Sequence, residues 1–123
     1  MDELNSQRRR NAEKYNEALK GVLGVGTPVE KDWGHYVYLH YAIRVKKRDQ
    51  LKEHLKQKGI ETVVHYPIPI PIQKHYREKF GYKQGMYPRL KETVSRILSL
   101  PTRPTLTDEE FQYIVNSIEE FYA

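Results

Sequence analysis

Prolines at every second position, in the stretch VVHYPIPIPIQKHY (residues 63–76), set the strongest limit on how this chain of 123 residues can fold. Pro67, Pro69 and Pro71 carry no amide hydrogen, so no central β-strand can continue past Tyr66. Each proline also drives the residue before it into an extended conformation, which holds Tyr66, Ile68 and Ile70 open. The expected product is a stiff, extended arm that leaves a strand through His65 and Tyr66. Glycine and serine suffice where a chain merely connects two elements, so the arm reads as a device that presents something.

The rest of the chain supplies the frame. Residues 3–20 have helical spacing, with Leu4, Ala12, Tyr15 and Leu19 on one face, and Gly21, Gly24, Gly26 and Pro28 then break the pattern. Residues 35–45 alternate: Val37, Leu39, Tyr41, Ile43 and Val45 share one side, as in a half-buried strand. RDQLKEHLKQKG follows as a short helix with Leu51 and Leu55 inward and Gly59 as its stop. Residues 60–66 read as a second strand and ILSLP, residues 97–101, as a third. Short helices are expected around 73–79, stopped by Gly81, and over 88–96 with Pro88 in the first turn. The last helix is signalled most fully. Thr107 and Glu110 form a capping box, Leu106 and Phe111 a hydrophobic staple, and Ile114, Val115 and Ile118 an apolar face. This order gives an α+β two-layer sandwich, a small three-stranded sheet with helices packed on one face, as a single domain over residues 1–123.

Composition narrows the function classes. Without cysteine there is no disulfide framework, thiolate metal site or cysteine nucleophile, which fits a reducing cytoplasm. No apolar run is long enough to span a bilayer, so no membrane partner is expected. The net charge of +5 is carried by residues 1–58, with runs at residues 8–10 and 46–48. Such a patch could bind nucleic acid or an anionic metabolite, or could be a solvated face. Tyr36, Tyr38 and Tyr41 could stack bases or pack in an interface; no RNA-recognition pattern accompanies them, which favours packing.

Catalytic signatures are scarce. No nucleophile elbow, Walker motif or dinucleotide fingerprint occurs. Of the five histidines no two have the helical spacing of a zinc site, and His54 reads as packed or surface. His65 differs because it ends a strand at the mouth of a rigid loop, where α/β folds place ligand groups; taken alone, structural and functional roles both stay open.

Read as a pattern, VHYPIPIPIQKHY resembles the HYP-x-P-x-x-x-Q-x-x-Y element of the DegT/DnrJ/StrS family of pyridoxal-phosphate-dependent nucleotide-sugar aminotransferases. RRRNAEKYNEAL resembles the family helix, HYVYLHYAIRVKKRDQLKEHLKQKGIETVVHYP its strand, helix and next strand, and YP at 87–88, ILSLP and the acidic last helix complete the series. The resemblance is to the C-terminal small domain. It implies that pyridoxal phosphate (PLP) belongs to a large domain preceding this region, with no cofactor group in this chain. His65 and Tyr66 would then border the nucleotide-sugar site of a cleft completed by that domain. Family members usually carry a histidine where Pro71 stands and a glutamate where Lys91 stands, so those contacts are not expected here. The chain alone is expected to be inactive and to self-associate, as a homodimer, through a patch of Tyr15, Leu19, Ile68, Ile70 and Ile72. The other reading is a freestanding basic module that binds nucleic acid or anions through residues 8–10 and 46–48. It accounts for the charge but not for the arm.

Overall fold

The computed structural model describes residues 1–83 and 85–123. Its elements run α1 (Asp2–Leu19), β1 (Val25–Gly26), β2 (Tyr41–Val45), α2 (Arg48–Gln57), a 3-10 turn (Ile70–Ile72), α3 (Lys74–Phe80), α4 (Pro88–Arg96), β3 (Ile97–Leu100) and α5 (Asp108–Tyr122). The α+β architecture is as expected. The sheet is antiparallel in the order β1-β2-β3, and its register sets Tyr41 opposite Leu100 and Ile43 opposite Leu98. Period-two alternation therefore puts Tyr41, Ile43, Leu98 and Leu100 on one face. Ala42, Arg44, Ile97 and Ser99 fall on the other.

The first face is the core. Leu51 and Leu55 of α2, Ala12, Tyr15 and Leu19 of α1, and Ile114, Val115 and Ile118 of α5 close over it, each 5% exposed or less. Tyr15 stacks on Tyr41 with ring centroids 4.9 Å apart and tilts against Phe111 at the same distance. Neither buried hydroxyl is orphaned: Tyr15 donates to the Pro101 carbonyl at 2.8 Å and Tyr41 to Asn16 Oδ1 at 2.7 Å. Burial raises both phenols far above the ordinary tyrosine value, so they are donors at any physiological pH. The capping box forms in full, with Glu110 N–H donating to Thr107 Oγ1 and Thr107 N–H to Glu110 Oε2.

Four expectations need correction. The strand over 35–45 shrinks to β2. Glu30 accepts from the Tyr36 N–H, and Arg9 donates to the Tyr36 carbonyl, so side chains take the groups a neighbouring strand would need. Tyr38 then enters the left-handed region at φ 52° and turns its ring inward beside Tyr41, leaving Val37 and Leu39 exposed. The stretch 60–66 contributes one bridge, Val63 to Ser99, because the prolines remove the donors that would extend it. Val25–Gly26, read only as part of a break, forms the edge strand β1. Finally, the arm is not extended throughout: Pro71 sits early in the 3-10 turn, where its missing N–H costs nothing, and the chain curls at Ile70.

β2 and the Val63 segment both run antiparallel to β3, so they are parallel to each other, and α2 is the crossover between them. This geometry brings the exit of residue 65 to the outer face of the sheet, beside Ser99. Tyr15 and Leu19 of the expected association patch lie in the core with no exposure, whereas Ile68 and Ile70 are 54% and 61% exposed.

Candidate functional site

His65 follows the Val63 bridge by two residues and comes to rest against β3. Its Nδ1 lies 2.9 Å from Ser99 Oγ, which alternation has turned to the outer face. His40, immediately before β2, stacks on the same imidazole with centroids 3.9 Å apart. Burial first, and the neighbouring His40 second, lower the His65 pKa below its ordinary 6.5, so the ring is neutral near pH 7. Tyr66 is adjacent in the chain, 5.7 Å ring to ring, and 71% exposed.

The two residues share a strand exit but face different spaces. His65 lines a cleft of about 380 Å3 with Arg8 of α1, His40, Glu61, Thr102 and Arg103. Tyr66 lines an apolar groove of about 590 Å3 between the arm and α4, with Ile68, Ile70, Leu90 and Val94. Gln73 braces this arm by donating from Nε2 to the Ile68 carbonyl at 3.1 Å. Neither His65 nor Tyr66 is sealed in the interior.

Residues that sequence reasoning passed over complete the first cleft. Ser99 had a signal, since it alternates with two inward leucines beside a strand that ends in histidine. His40 and Thr102 had none. Thr102 is 7% exposed and its Oγ1 has no hydrogen-bond partner among the described residues. Leaving such a hydroxyl unpaired costs about 1–3 kcal/mol.

Each charge run has one arginine engaged within the fold, while Arg10, Lys46 and Lys47 stay exposed. Arg9 pairs with Glu30 at 2.8 Å, and Arg48 turns inward to the carbonyls of Val94 and Ile97. Tyr41 and Tyr38, candidates for base stacking, are buried. No group of three or more His, Cys, Asp or Glu among the described residues could hold a metal ion. Among the described residues no helix is long and apolar enough to cross a membrane.

This helix, crossover sheet and strand-exit arrangement can be compared with known proteins. Residues 1–119 match the DegT/DnrJ/EryC1/StrS aminotransferase family. The chain belongs to that family. It is 40% identical to a pleiotropic regulatory protein of Geobacillus stearothermophilus, over 99% of this chain and 33% of the relative. It is 30% identical to the dTDP-3-amino-3,4,6-trideoxy-alpha-D-glucose transaminase of Streptomyces venezuelae, over 98% of this chain and 32% of that enzyme. Among solved structures, S. venezuelae DesV in complex with a ketimine intermediate superposes with a TM-score of 0.91 at 30% identity, covering 98% of this chain and 32% of DesV. A family aminotransferase from Brucella abortus gives a TM-score of 0.84 at 33% identity, covering 98% and 31%. The chain thus spans about a third of the length of these DegT/DnrJ/EryC1/StrS relatives.

Family enzymes depend on PLP, and the residues present here do not fit that group. A Schiff-base lysine must be sheltered and able to lose its proton. Every lysine except Lys58 is exposed. Lys58 is tied to Glu120 at 2.7 Å, an ion pair that raises its pKa, the opposite of what a Schiff base requires.

Proposed function

We propose that this chain is the C-terminal small domain of a PLP-dependent nucleotide-sugar aminotransferase, not catalytic by itself. In this reading one domain spans residues 1–123, the cofactor belongs to a separate large domain, and amino transfer to a nucleotide-linked keto sugar takes place between the two, in the cytoplasm. His65 and Tyr66 bind and orient the substrate; no proton transfer is assigned to them. The observation that carries the reading is their placement: a bridged strand end holds both open to solvent, with His65 fixed by Ser99 and His40 and Tyr66 standing on the proline-braced arm. Groups held in place before binding avoid an ordering cost when substrate arrives.

The test is a chimera. This chain replaces the matching C-terminal third of the S. venezuelae transaminase, and amino transfer is assayed. The expected result is retained transfer, reduced at least tenfold when His65→Ala or Tyr66→Ala is introduced. A chimera that folds and takes up cofactor yet transfers nothing, or one indifferent to both substitutions, overturns the proposal.

Self-association belongs to the same reading. Ile68 and Ile70 expose apolar surface beside Tyr66, with Phe80 also exposed, and such a patch favours a homodimer. Sedimentation at rising concentration tests it; a strict monomer throughout would refute it.

A further inference from the structure

We propose that the cleft between α1, His40 and the segment after β3 is an oxyanion-binding subsite, with Arg8 and the Thr102 hydroxyl as its principal donors. Three arginines are half-buried: Arg8, Arg9 and Arg48. Arg9 is neutralised by Glu30, and Arg48 is held by Asp49 and two carbonyls. Arg8 has no ion pair or hydrogen bond among the described residues, although it lines the cleft. A guanidinium partly withdrawn from water without an acceptor is matched to an acceptor that arrives from outside.

The second observation is independent. Thr102 lines the same cleft, and its buried hydroxyl has no hydrogen-bond partner among the described residues. Around them, Arg103 keeps its guanidinium at the rim, anchored to Glu110 at 2.6 Å, and its backbone carbonyl is fixed by Asn11 at 3.0 Å. Glu61 is the one carboxylate of the lining. It would repel an anion, so the ligand is expected to sit toward Arg8 and Thr102. His65 walls the remaining side as a neutral ring, with the His40 ring stacked on it.

The ligand chemistry is a compact oxyanion. In the aminotransferase reading it is either the diphosphate of a nucleotide sugar or the carboxylate of an amino donor. The subsite deepens that reading, because His65 belongs to both. Its test is separable: anion binding is measured on the 123-residue chain and amino transfer on the chimera, so either can fail while the other stands.

The experiment is isothermal calorimetry of the chain with sodium pyrophosphate and, separately, with L-glutamate, at millimolar concentrations. Saturable binding of at least one is expected; pyrophosphate alone identifies the phosphoryl source and glutamate alone the carboxylate source. Arg8→Gln should weaken binding about tenfold, the loss typical of one charged hydrogen bond. Lys47→Gln, in the other basic segment, should leave it unchanged. Thr102→Val keeps shape and removes the orphan hydroxyl, so it should weaken binding while leaving the melting temperature equal or higher. That opposite movement is not expected of a merely structural threonine, and it carries the test should Arg8→Gln fail to fold. No saturable binding of either anion by folded chain, or binding undiminished by Thr102→Val and by a folded Arg8→Gln, overturns the subsite.

Discussion

The imidazoles of His40 and His65 lie stacked, centroids 3.9 Å apart and planes inclined by 27°, on the outer face of the sheet. Two rings this close cannot both carry a proton cheaply, and burial already disfavours the charged form of His65. A histidine whose pKa is lowered on folding binds fewer protons than in the unfolded chain. Its contribution to stability is therefore complete above pH 6.5 and is lost as pH falls from 6.5 through the lowered value. Proton NMR should show His65 titrating below 6.5. His40→Ala should move it back only part of the way, because burial is the larger cause. A titration at or above 6.5 would contradict the packing.

Gly24 carries a steric prediction. It sits at φ +92°, and a Cβ there would lie 2.9 Å from Cε1 of Tyr122, whose hydroxyl donates to the Lys46 carbonyl. Gly24→Ala should destabilise by about 1 kcal/mol or more from backbone conformation alone, with the clash added. Adding Tyr122→Leu should relieve the clash but not the backbone term, so urea unfolding of the double variant should show positive but incomplete rescue. Full additivity would place the ring elsewhere.

The capping box of α5 can be measured similarly. Thr107→Ala removes the acceptor for the Glu110 N–H and should cost about 1 kcal/mol by urea unfolding. Glu110 accepts from Thr107 N–H and pairs with Arg103, which lowers its pKa below 4.5. The stabilisation from this carboxylate is present above 4.5 and lost as pH falls through the lowered value. In Glu110→Gln the acid limb of the stability curve should flatten. An unchanged limb would mean the box does not form in solution.

The core offers the largest effects. Leu98 is fully buried on β3, and Leu98→Ala should cost about 2–5 kcal/mol. Tyr15→Phe keeps the stack on Tyr41 and removes only the bond to the Pro101 carbonyl, so about 1 kcal/mol is expected. If the two substitutions proved equal by denaturant unfolding, the assignment of Leu98 to the interior would fail.

What could be read from the chain divides by range. The helices announced themselves locally: Gly59 and Gly81 stop α2 and α3 at positive φ, Pro88 opens α4, and Thr107 with Glu110 opens α5. The strand over 35–45 misled because valine, leucine and tyrosine all suit either face. What ended it was the distant pair Arg9 and Glu30 capturing the Tyr36 backbone. The two-residue β1 is too short to carry any period. At the site, His65 and Tyr66 could be named because prolines act on adjacent residues. Arg8, Ser99 and Thr102 join the His65 cleft only through folding across 34 or more positions, which no local pattern records.

The cofactor prediction concerns chemistry the chain lacks. Its lysines are exposed, or in the case of Lys58 held protonated by Glu120, so none should capture the aldehyde of PLP at one defined position. Incubation with the cofactor, borohydride reduction and peptide mapping should give sparse label spread over many lysines, with no saturable absorbance band. Glu120→Gln frees Lys58 and should raise its share of label. One lysine labelled stoichiometrically in the unaltered chain would show a cofactor site in these residues and would refute the claim that the chain is catalytically incomplete.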